Sequence, residues 1–366
     1  MKLAVVGAGY WGANLVRVFQ QLGVLDRICE SNVPRIEELA AMYPDVRVER
    51  SFEALLRDPS IDGVVIATPA ETHYALAKQA LRAGKDVFVE KPMTLHSGET
   101  AELTATAEDL GRILMVGHLL EFHPAILRLK QLIDEGYLGR IEYIYSNRLN
   151  LGKVRREENA LWSFAPHDIS VILLLLNELP IQVTATGGTY LQPNIADVTI
   201  STMLFGRGTR AHIFVSWLHP YKEQKLVIVG EKRMAVFDDV AKTEKLRVYD
   251  KRIDLVDGQF VAERPIAHCI EFPNDEPLMS ECRHFVECIE TRRTPRTDGH
   301  DAWRVLKVLE ASQRSLSTNG EPVPVDTVHA FGSASRRPEF AAAQVAPNAE
   351  LPLREGRAGA SSGVNL

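Results

Sequence analysis

Short apolar runs alternate with segments of helical periodicity along the first third of the chain. Six runs predict buried strands, at residues 2–6, 25–29, 46–48, 63–69, 86–89 and 113–116. Between them, apolar positions spaced three or four apart predict helices at residues 13–19, 34–42, 52–57, 71–83 and 98–110. Such alternation is typical of a doubly wound parallel sheet, which binds ligands at the carboxyl ends of its strands. We therefore predict an α/β domain over residues 1–120.

From about residue 141 the pattern changes to alternation with a period of two. Seven such segments occur, at residues 141–149, 183–189, 198–205, 209–217, 225–229, 234–238 and 246–249. They predict a mostly antiparallel open sheet, and helical periodicity returns at residues 280–289 and 301–315. The apolar run 171–176 is too short to span a bilayer and predicts a buried helix. These features favour an α+β domain over residues 121–331, followed by a disordered tail, rich in Ala, Pro, Gly and Ser, at residues 332–366.

A glycine-rich turn joins the first predicted strand to the first predicted helix. It has the spacing G-x-G-x-x-G, formed by Gly7, Gly9 and Gly12, with Tyr10 and Trp11 between the second and third glycines. The first glycine permits a tight turn, the second lets a pyrophosphate approach the backbone, and the third lets helix and strand pack closely. The helix then presents free N–H groups to the phosphates. This arrangement predicts a dinucleotide site.

An acidic residue, Glu30, follows the second predicted strand, eighteen residues beyond Gly12. A carboxylate at this point accepts hydrogen bonds from a ribose 2′-hydroxyl and repels a 2′-phosphate. The sequence therefore predicts NAD as the cofactor, in preference to NADP.

Several polar residues fall where predicted strands of the first domain end. They are Thr68, Pro69, His73, Glu90, Lys91 and His118. Because parallel strands share one carboxyl edge, we expect these residues to line the cofactor site near the nicotinamide.

Composition and charge narrow the class of protein. The 366 residues include 42 Lys and Arg against 48 Asp and Glu, a formal charge of −6, and no basic block suggests a nucleic-acid surface. The four cysteines and the histidines lack metal-ligand spacing. We interpret the cysteines as reduced packing residues of a cytoplasmic protein, since no signal peptide precedes the first strand. No metal, membrane or nucleic-acid partner is expected.

Two positions suggest catalysis. Lys91, beside the predicted nicotinamide site, can bind a substrate hydroxyl and offset a developing alkoxide. His167, which opens the predicted apolar helix, can take the hydroxyl proton. Taken alone, Lys91 is better interpreted as a solvated loop residue. His167 could be a helix cap, with Asp168 supplying favourable charge in the first turn.

Context for these residues comes from a resemblance. The motifs G-A-G-Y-W-G, A-T-P-x-x-x-H, E-K-P and V-G-H resemble the Gfo/Idh/MocA family of NAD(P)-dependent sugar and inositol oxidoreductases, over about residues 1–330. The resemblance implies a Rossmann domain, a catalytic lysine at Lys91 and an acid or base at His167. Many members carry an aspartate four residues before this histidine, where this chain has Ser163. The resemblance leaves open whether Asp168 replaces it.

The segment before His167 narrows the implied substrate. Residues 150–162 resemble members that oxidise the C3 hydroxyl of UDP-N-acetylated hexoses, ahead of a pyridoxal-phosphate aminotransferase, on the way to diamino sugars of bacterial lipopolysaccharide. Within this segment Lys153, Arg155 and Arg156 form a basic cluster suited to a diphosphate. A solvated loop interleaved with Glu157 and Glu158 is an equally good interpretation.

The implied function is NAD-dependent oxidation of UDP-N-acetylglucosamine at C3. The alternatives are UDP-N-acetylglucosaminuronic acid, a free sugar or inositol, and, from another class, a non-catalytic NAD-binding regulator. Candidate substrate-binding residues are Lys91, Lys153, Arg155, Arg156, Trp162, His167 and Asp168. An apolar face of the second sheet favours a homodimer or homotetramer.

Overall fold

A computed structural model describes residues 1–326, and its first sheet contains six parallel strands. They are β1 (Leu3–Val6), β2 (Leu25–Cys29), β3 (Arg47–Glu49), β4 (Gly63–Ile66), β5 (Asp86–Glu90) and β6 (Leu114–Gly117). The order is β3-β2-β1-β4-β5-β6. Five helices connect them: α1 (Gly12–Gln21), α2 (Val33–Met42), α3 (Phe52–Arg57), α4 (Ala70–Arg82) and α5 (Ser97–Asp109). The predicted doubly wound fold is confirmed, and the strand order reverses between β1 and β4, where such folds bind their ligands.

The central strands form because their side chains are apolar on both faces. Every residue of β1, β4, β5 and β6 is buried. Strands that are covered by helices on both sides read as continuous Val, Ile and Leu runs, which is why the sequence pattern identified them.

A short 3₁₀ helix (Leu119–Phe122) and helix α6 (Pro124–Asp134) lead to a second sheet. Its nine strands within the described residues are β7 (Ile141–Leu151), β8 (Pro180–Gly188), β9 (Val198–Phe205), β10 (Arg210–Ser216), β11 (Leu218–Gly230), β12 (Arg233–Asp238), β13 (Leu246–Asp250), β16 (Ala267–Cys269) and β17 (Val323–Pro324). Strands β14 (Ile253–Val256) and β15 (Gln259–Ala262) form a separate exposed hairpin. The order is β16-β13-β12-β11-β7-β10-β9-β8-β17, and among the described strands of this second sheet only β7 and β10 pair in parallel. The predicted, mostly antiparallel sheet is confirmed.

Helix α7 (Ala160–Leu176) packs on this sheet, and it begins at a different residue from the one predicted. The sequence predicted a helix that opens at His167, but the helix begins seven residues earlier. The side chain of Asn159 caps it by accepting a hydrogen bond from the Trp162 backbone N–H at 3.1 Å. Pro166 lies inside the helix. His167 is therefore an interior helical residue and not a helix cap. Residues 171–175 are buried, as expected.

In the described part of the chain two helices follow the strands β7 to β16, and the second of them contacts both sheets. Helix α8 (Pro277–Thr291) returns to the first sheet, where Leu278, Cys282 and Phe285 join its core. Helix α9 (Gly299–Ser317) packs against both α5 and β8. The two sheets thus share a helical layer late in the chain. The proposed domain limits stay a prediction, and the tail predicted at residues 332–366 lies outside the described residues.

The cysteines only partly match their expected packing role. Cys29, Cys282 and Cys288 are buried free thiols, whereas Cys269 is exposed on the edge strand β16. In the part of the chain that the structure describes, no helix combines the length and apolar character needed to cross a membrane.

Candidate active site

The glycine turn has the shape that its spacing predicts. Gly7 has φ +85°, and a Cβ on it would lie 2.9 Å from Thr68 Cγ2. A Cβ on Gly12 would lie 2.0 Å from the Gly7 carbonyl oxygen, so only glycine fits where α1 meets the turn. By contrast, a Cβ on Gly9 would meet no atom within 4 Å. The backbone at Gly9 therefore faces open space from which a ligand can approach.

The first turn of α1 suits a pyrophosphate. Its N-cap residue, Trp11, makes no side-chain cap, and no acidic side chain lies in the first turn. Ala13 and Asn14 donate their backbone N–H groups to the carbonyls of Gly9 (3.0 Å) and Trp11 (2.8 Å), and no side chain neutralises the positive end of the helix dipole. Tyr10 is almost fully exposed beside them. These residues fit the phosphates of a dinucleotide.

Glu30 lies at the edge of this turn, as predicted from the sequence. Its carboxylate accepts hydrogen bonds from the backbone N–H groups of Ala8 (2.8 Å), Ser31 (2.8 Å) and Asn32 (3.0 Å). Burial alone would raise the pKa of Glu30, but these N–H groups outweigh it and lower the pKa. An ionised carboxylate is therefore fixed against the turn. It lines an open cleft together with Gly9, Tyr10, Ala13, Asn32 and Arg35.

Glu90, at the carboxyl end of β5, is buried and connected to the glycine turn. The Trp11 indole N–H donates a hydrogen bond to Glu90 Oε1 at 2.5 Å. Burial raises the pKa of Glu90 to about 7, although the Trp11 hydrogen bond and the Lys91 charge oppose the shift. A second buried acid, Glu281 of α8, lies close enough for its own pKa to be raised, first by burial and then by Glu90. Neither Glu281 oxygen has a hydrogen-bond partner among the described residues.

Thr68 and Pro69 lie in the turn between β4 and α4, and His73 lies near the start of α4. The buried His73 ring contacts two backbone carbonyls, Pro92 O through Nδ1 and Thr68 O through Nε2, each at 2.8 Å. Both ring nitrogens are thus engaged by the protein. His73 joins the loops after β4 and β5, and this geometry favours a supporting role over direct contact with a cofactor.

Lys91 follows Glu90 and points toward helix α7. Its Nζ donates a hydrogen bond to the backbone carbonyl of Ser163 at 3.1 Å. Burial lowers the pKa of Lys91; Glu158 and Glu90 oppose this shift, and Arg155 and Arg148 add to it. The contact joins the end of β5 to the N-terminal part of α7.

His167 lies one helical turn beyond Ser163 on α7. Burial lowers its pKa well below the ordinary value, and the nearby positive charges of Lys91 and Arg148 lower it further. The imidazole is therefore neutral at physiological pH. Within residues 1–326 the ring nitrogens accept or donate no hydrogen bond, which leaves them free for a substrate. A neutral imidazole with a free ring nitrogen can take a proton from a substrate hydroxyl within hydrogen-bond reach.

Asp168 was predicted to contact the substrate, but its carboxylate is buried and bound by other side chains. It is 3% exposed and accepts hydrogen bonds from Ser146 Oγ (2.7 Å) and from Arg148 Nε (2.8 Å). The carboxylate therefore joins α7 to β7, and the structure shows no contact between it and the His167 ring. Asp168 holds Arg148 beside Lys91 and His167, and so does not replace the missing aspartate directly.

The three basic residues Lys153, Arg155 and Arg156 differ in their electrostatic contacts. Arg155 lies 3.8 Å from Glu158, between Nε and Oε1, and its charge reaches Lys91. All three basic residues are exposed, and Glu157 beside them accepts a hydrogen bond from the Arg156 backbone N–H at 3.1 Å. Of the three basic residues, Arg155 is the one for which the structure shows an electrostatic effect on Lys91.

Trp162, another predicted substrate contact, is engaged elsewhere. Its indole N–H donates a hydrogen bond to Gln313 Oε1 of α9 at 3.1 Å. The same oxygen accepts from Asn159 Nδ2 at 2.9 Å. Trp162 therefore anchors the start of α7 to α9.

His118, at the end of β6, belongs to a buried polar cluster. Its Nδ1 lies 2.7 Å from Asp301 Oδ2 and 3.8 Å from Glu121 Oε1. Burial, with Asp301 next, raises the pKa of Glu121 well above its ordinary value. These are metal-ligand residue types, but Arg296 and Arg304 also lie close enough to lower the pKa of Glu121. The cluster fixes His118 at the edge where the catalytic candidates meet, and His118 in turn acts on His167.

Sequence reasoning missed three residues of this region: Arg35, Arg148 and Glu281. Of these, only Arg148 could have been identified from the local sequence. Period-two alternation puts it on the same face of β7 as Ser146 and the buried Ile144. Its pairing with Asp168, like that of Glu90 with Glu281, depends on distant segments meeting in the fold.

Comparison with known proteins agrees with this architecture. Residues 1–118 match the model of an oxidoreductase family with an NAD-binding Rossmann fold, and residues 126–236 match the GFO/IDH/MocA C-terminal domain. The UDP-N-acetylglucosamine 3-dehydrogenase of Acidithiobacillus ferrooxidans is 29% identical over 307 residues, which cover 84% of this chain and 94% of that protein. An inositol 2-dehydrogenase of Rhizobium meliloti is 25% identical over 279 residues, or 73% of this chain and 82% of that protein.

Solved structures share the fold. That of the Acidithiobacillus ferrooxidans enzyme has a TM-score of 0.77 at 27% identity and covers 87% of this chain and 98% of its own. A levoglucosan dehydrogenase in complex with NADH has a TM-score of 0.76 at 19% identity and covers 89% of this chain and 99% of its own. The chain belongs to the Gfo/Idh/MocA family of oxidoreductases, and its N-terminal domain is an NAD-binding Rossmann domain.

Proposed function

We propose that this oxidoreductase transfers hydride from C3 of UDP-N-acetylglucosamine to NAD. The observation that carries the proposal is the convergence of Lys91 and the neutral His167 at the carboxyl end of β5, with Arg155 on the adjacent loop. The similarity to the Acidithiobacillus ferrooxidans enzyme supports the choice of substrate.

The cofactor would be held by residues of the first sheet. Gly7, Gly9 and Gly12, with the first turn of α1, would bind the pyrophosphate, and Glu30 would bind the adenosine ribose. Glu90 and His118 would lie toward the nicotinamide end. When bound, NAD supplies the two-electron acceptor for the C3 hydride.

Two residues of this chain would accept the proton of the C3 hydroxyl and stabilise the negative charge that develops on its oxygen. A ring nitrogen of His167 takes the proton of the C3 hydroxyl as the C3–H bond breaks and the C–O bond becomes a ketone. The Lys91 ammonium donates a hydrogen bond to the same oxygen and offsets its developing negative charge. The depressed pKa of His167 keeps the ring unprotonated at neutral pH, so a ring nitrogen is available to take this proton.

The substrate class depends on the loop before α7. Arg155 would contact a diphosphate or a sugar carboxylate, since a guanidinium can bind either with two hydrogen bonds. UDP-N-acetylglucosaminuronic acid is therefore the first alternative, and a free sugar or inositol the second, since one relative is an inositol dehydrogenase. A 3-keto product suits consumption by a pyridoxal-phosphate aminotransferase. We also propose a homodimer or homotetramer.

A panel of UDP-sugars, free sugars and inositols tests the proposal. NADH formation would be followed with an aminotransferase present as a trap, since oxidation to the ketone is uphill. Arg155→Ala should raise KM for every UDP-sugar if Arg155 contacts the diphosphate, whereas a loss confined to the uronic acid favours the first alternative. Turnover of free polyols alone favours the second alternative, and no turnover with any of them contradicts the enzymatic proposal.

A further inference from the structure

The loop that leads into helix α7 is held at both ends by one part of the second sheet. This α7 entry loop comprises residues 152–159, between β7 and α7. At its start, the Gly152 backbone N–H donates a hydrogen bond to the Trp217 carbonyl at 3.3 Å. Just after its end, the Ala160 N–H donates to the Ala196 carbonyl at 2.9 Å. The two acceptors lie at the same end of the β9–β10 pair.

A third contact holds the middle of the α7 entry loop. It comes from the β8–β9 loop, residues 189–197, in which the side-chain amide of Gln192 donates a hydrogen bond to the Arg155 carbonyl. These two residues are separated by 37 positions along the chain. The α7 entry loop contains neither helix nor strand, so these tertiary hydrogen bonds fix the path of its backbone.

The β8–β9 loop is itself fixed by a buried acid, Asp197. The Asp197 carboxylate is 0% exposed and accepts hydrogen bonds from the backbone N–H groups of Tyr190 (2.7 Å) and Leu191 (2.9 Å). It also accepts a hydrogen bond from the Trp217 indole N–H at 2.6 Å. Burial alone would raise the pKa of Asp197, but these donors outweigh it and lower the pKa. Hydrogen bonds to an ionised group are roughly twice as strong as neutral ones, so the loop that bears Gln192 is firmly held.

Arg155 combines a fixed backbone with an accessible side chain. Its side chain is 43% exposed, and the 3.8 Å between its Nε and Glu158 Oε1 is too long for a hydrogen bond. The guanidinium can therefore turn to an incoming anion. Binding costs less when the backbone that carries such a group is already ordered.

We propose that Gln192 is a positioning residue, which fixes the Arg155 backbone so that the guanidinium meets the diphosphate of a nucleotide-sugar substrate. The inference rests on the proposed function in taking Arg155 as a substrate contact. It assigns part of the selection for a nucleotide sugar over a neutral polyol to the β8–β9 loop, outside the segment that precedes His167.

Gln192→Met tests the contact, because methionine has a similar length and volume but no N–H donor. Loss of one neutral hydrogen bond changes an equilibrium about three- to tenfold. In the protein without ligand, trypsin should cleave after Lys153, Arg155 and Arg156 faster by about this factor, since proteolysis of a held loop follows the population of its open form. Mass spectrometry of the fragments measures the rate at each site.

Binding and turnover measure the effect on the substrate site. Gln192→Met should weaken the binding of uridine diphosphate about three- to tenfold in calorimetry. KM for UDP-N-acetylglucosamine should rise by the same factor, while kcat stays near the wild-type value. NAD affinity should not change, because the glycine turn is separate from both loops.

Gln259→Met is the matched control. Gln259 is an exposed residue of β15, in the separate hairpin, so cleavage of the α7 entry loop and affinity for uridine diphosphate should equal those of the wild type. Gln192→Met values equal to those of the control overturn the proposal. Faster cleavage with unchanged affinity also overturns it, because the contact would then support the loop alone.

An Arg155→Ala background separates positioning of the guanidinium from general loosening of the loop. If Gln192 acts through Arg155, Gln192→Met should cause no further loss of affinity for uridine diphosphate in this background. An equal loss in both backgrounds overturns the proposal, as does failure of the wild type to bind uridine diphosphate.

The outcomes distinguish this inference from the proposed function. Binding of uridine diphosphate that Gln192→Met weakens, without turnover of any UDP-sugar, would reject the proposed function and leave the inference standing. Turnover of UDP-N-acetylglucosamine with the same KM in Gln192→Met and the wild type would overturn the inference alone.

Discussion

We predict that Glu30 decides between the two nicotinamide cofactors. Its ionised carboxylate repels a 2′-phosphate, while Arg35, in the same cleft, works in the opposite direction. Because Glu30 is fixed by three backbone hydrogen bonds, we expect its effect to dominate. NAD should bind at least about tenfold more tightly than NADP, a difference of ~1.4 kcal/mol. Fluorescence titration of both cofactors measures this, and equal affinities would remove Glu30 from the role.

Lys91 and His167 should affect turnover and not cofactor binding, since the glycine turn is separate from them. Lys91→Ala and His167→Asn should each reduce turnover by about 10² to 10⁴-fold with near-normal NAD affinity. The depressed pKa of His167 puts the acid limb of the pH profile below the ordinary histidine range. In His167→Asn that limb should flatten. Near-normal turnover in either variant would contradict the role of that residue.

Glu281 should make stability depend on pH. Burial raises the pKa of Glu281, with a smaller effect from Glu90, so the folded state retains a proton that the unfolded state releases. The stability this proton confers is fully present below the ordinary glutamate pKa and declines as pH rises toward the folded-state pKa. Glu281→Gln should therefore gain thermal stability relative to the wild type as pH increases from about 5 to 9. Melting curves across this range test it, and a difference independent of pH would refute it.

At the scale of elements, the pair Arg148–Asp168 joins β7 to α7 in a buried position. Asp168→Ala leaves a buried guanidinium without its carboxylate, which costs about 3 kcal/mol or more. The exposed pair Arg293–Glu287, at 3.3 Å, offers a control, and Glu287→Ala should cost less than about 1 kcal/mol. Urea unfolding measures both. Similar losses in the free energy of unfolding of the two variants would show that the buried pair stabilises the fold no more than the exposed pair.

Most elements could be predicted from the sequence, because burial on both faces or on one face leaves a distinct hydrophobic period. The beginning of α7 could not. The segment from Asn159 to His167 contains Pro166, which normally marks a boundary, and the cap at Asn159 is followed by only a short apolar stretch. Helix α7 forms through Pro166 because its residues are buried between the second sheet and α9, so tertiary packing overrides the local signal.

At the scale of the whole molecule, the second sheet leaves apolar side chains exposed. Tyr143 of β7 and Ile200 of β9 are 44% and 48% exposed, next to buried residues of the opposite face. We expect this face to be covered in a homodimer or homotetramer. Ile200→Asp should shift the protein toward a monomer in light scattering, whereas Leu110→Asp, at an equally exposed site after α5, should not. A monomeric wild type would contradict the expectation.

The sequence by itself determined the parallel sheet, the glycine turn, Glu30 beside it and Lys91 at a strand end. Each of these depends on local periodicity or on residues within one strand–turn–helix unit. Only the tertiary structure decided the partners within the candidate site: Trp11 with Glu90, Asp168 with Arg148, and His118 with Asp301. These pairs are separated by 79, 20 and 183 residues along the chain. Their proximity follows from strand order and helix packing, and no local pattern encodes it.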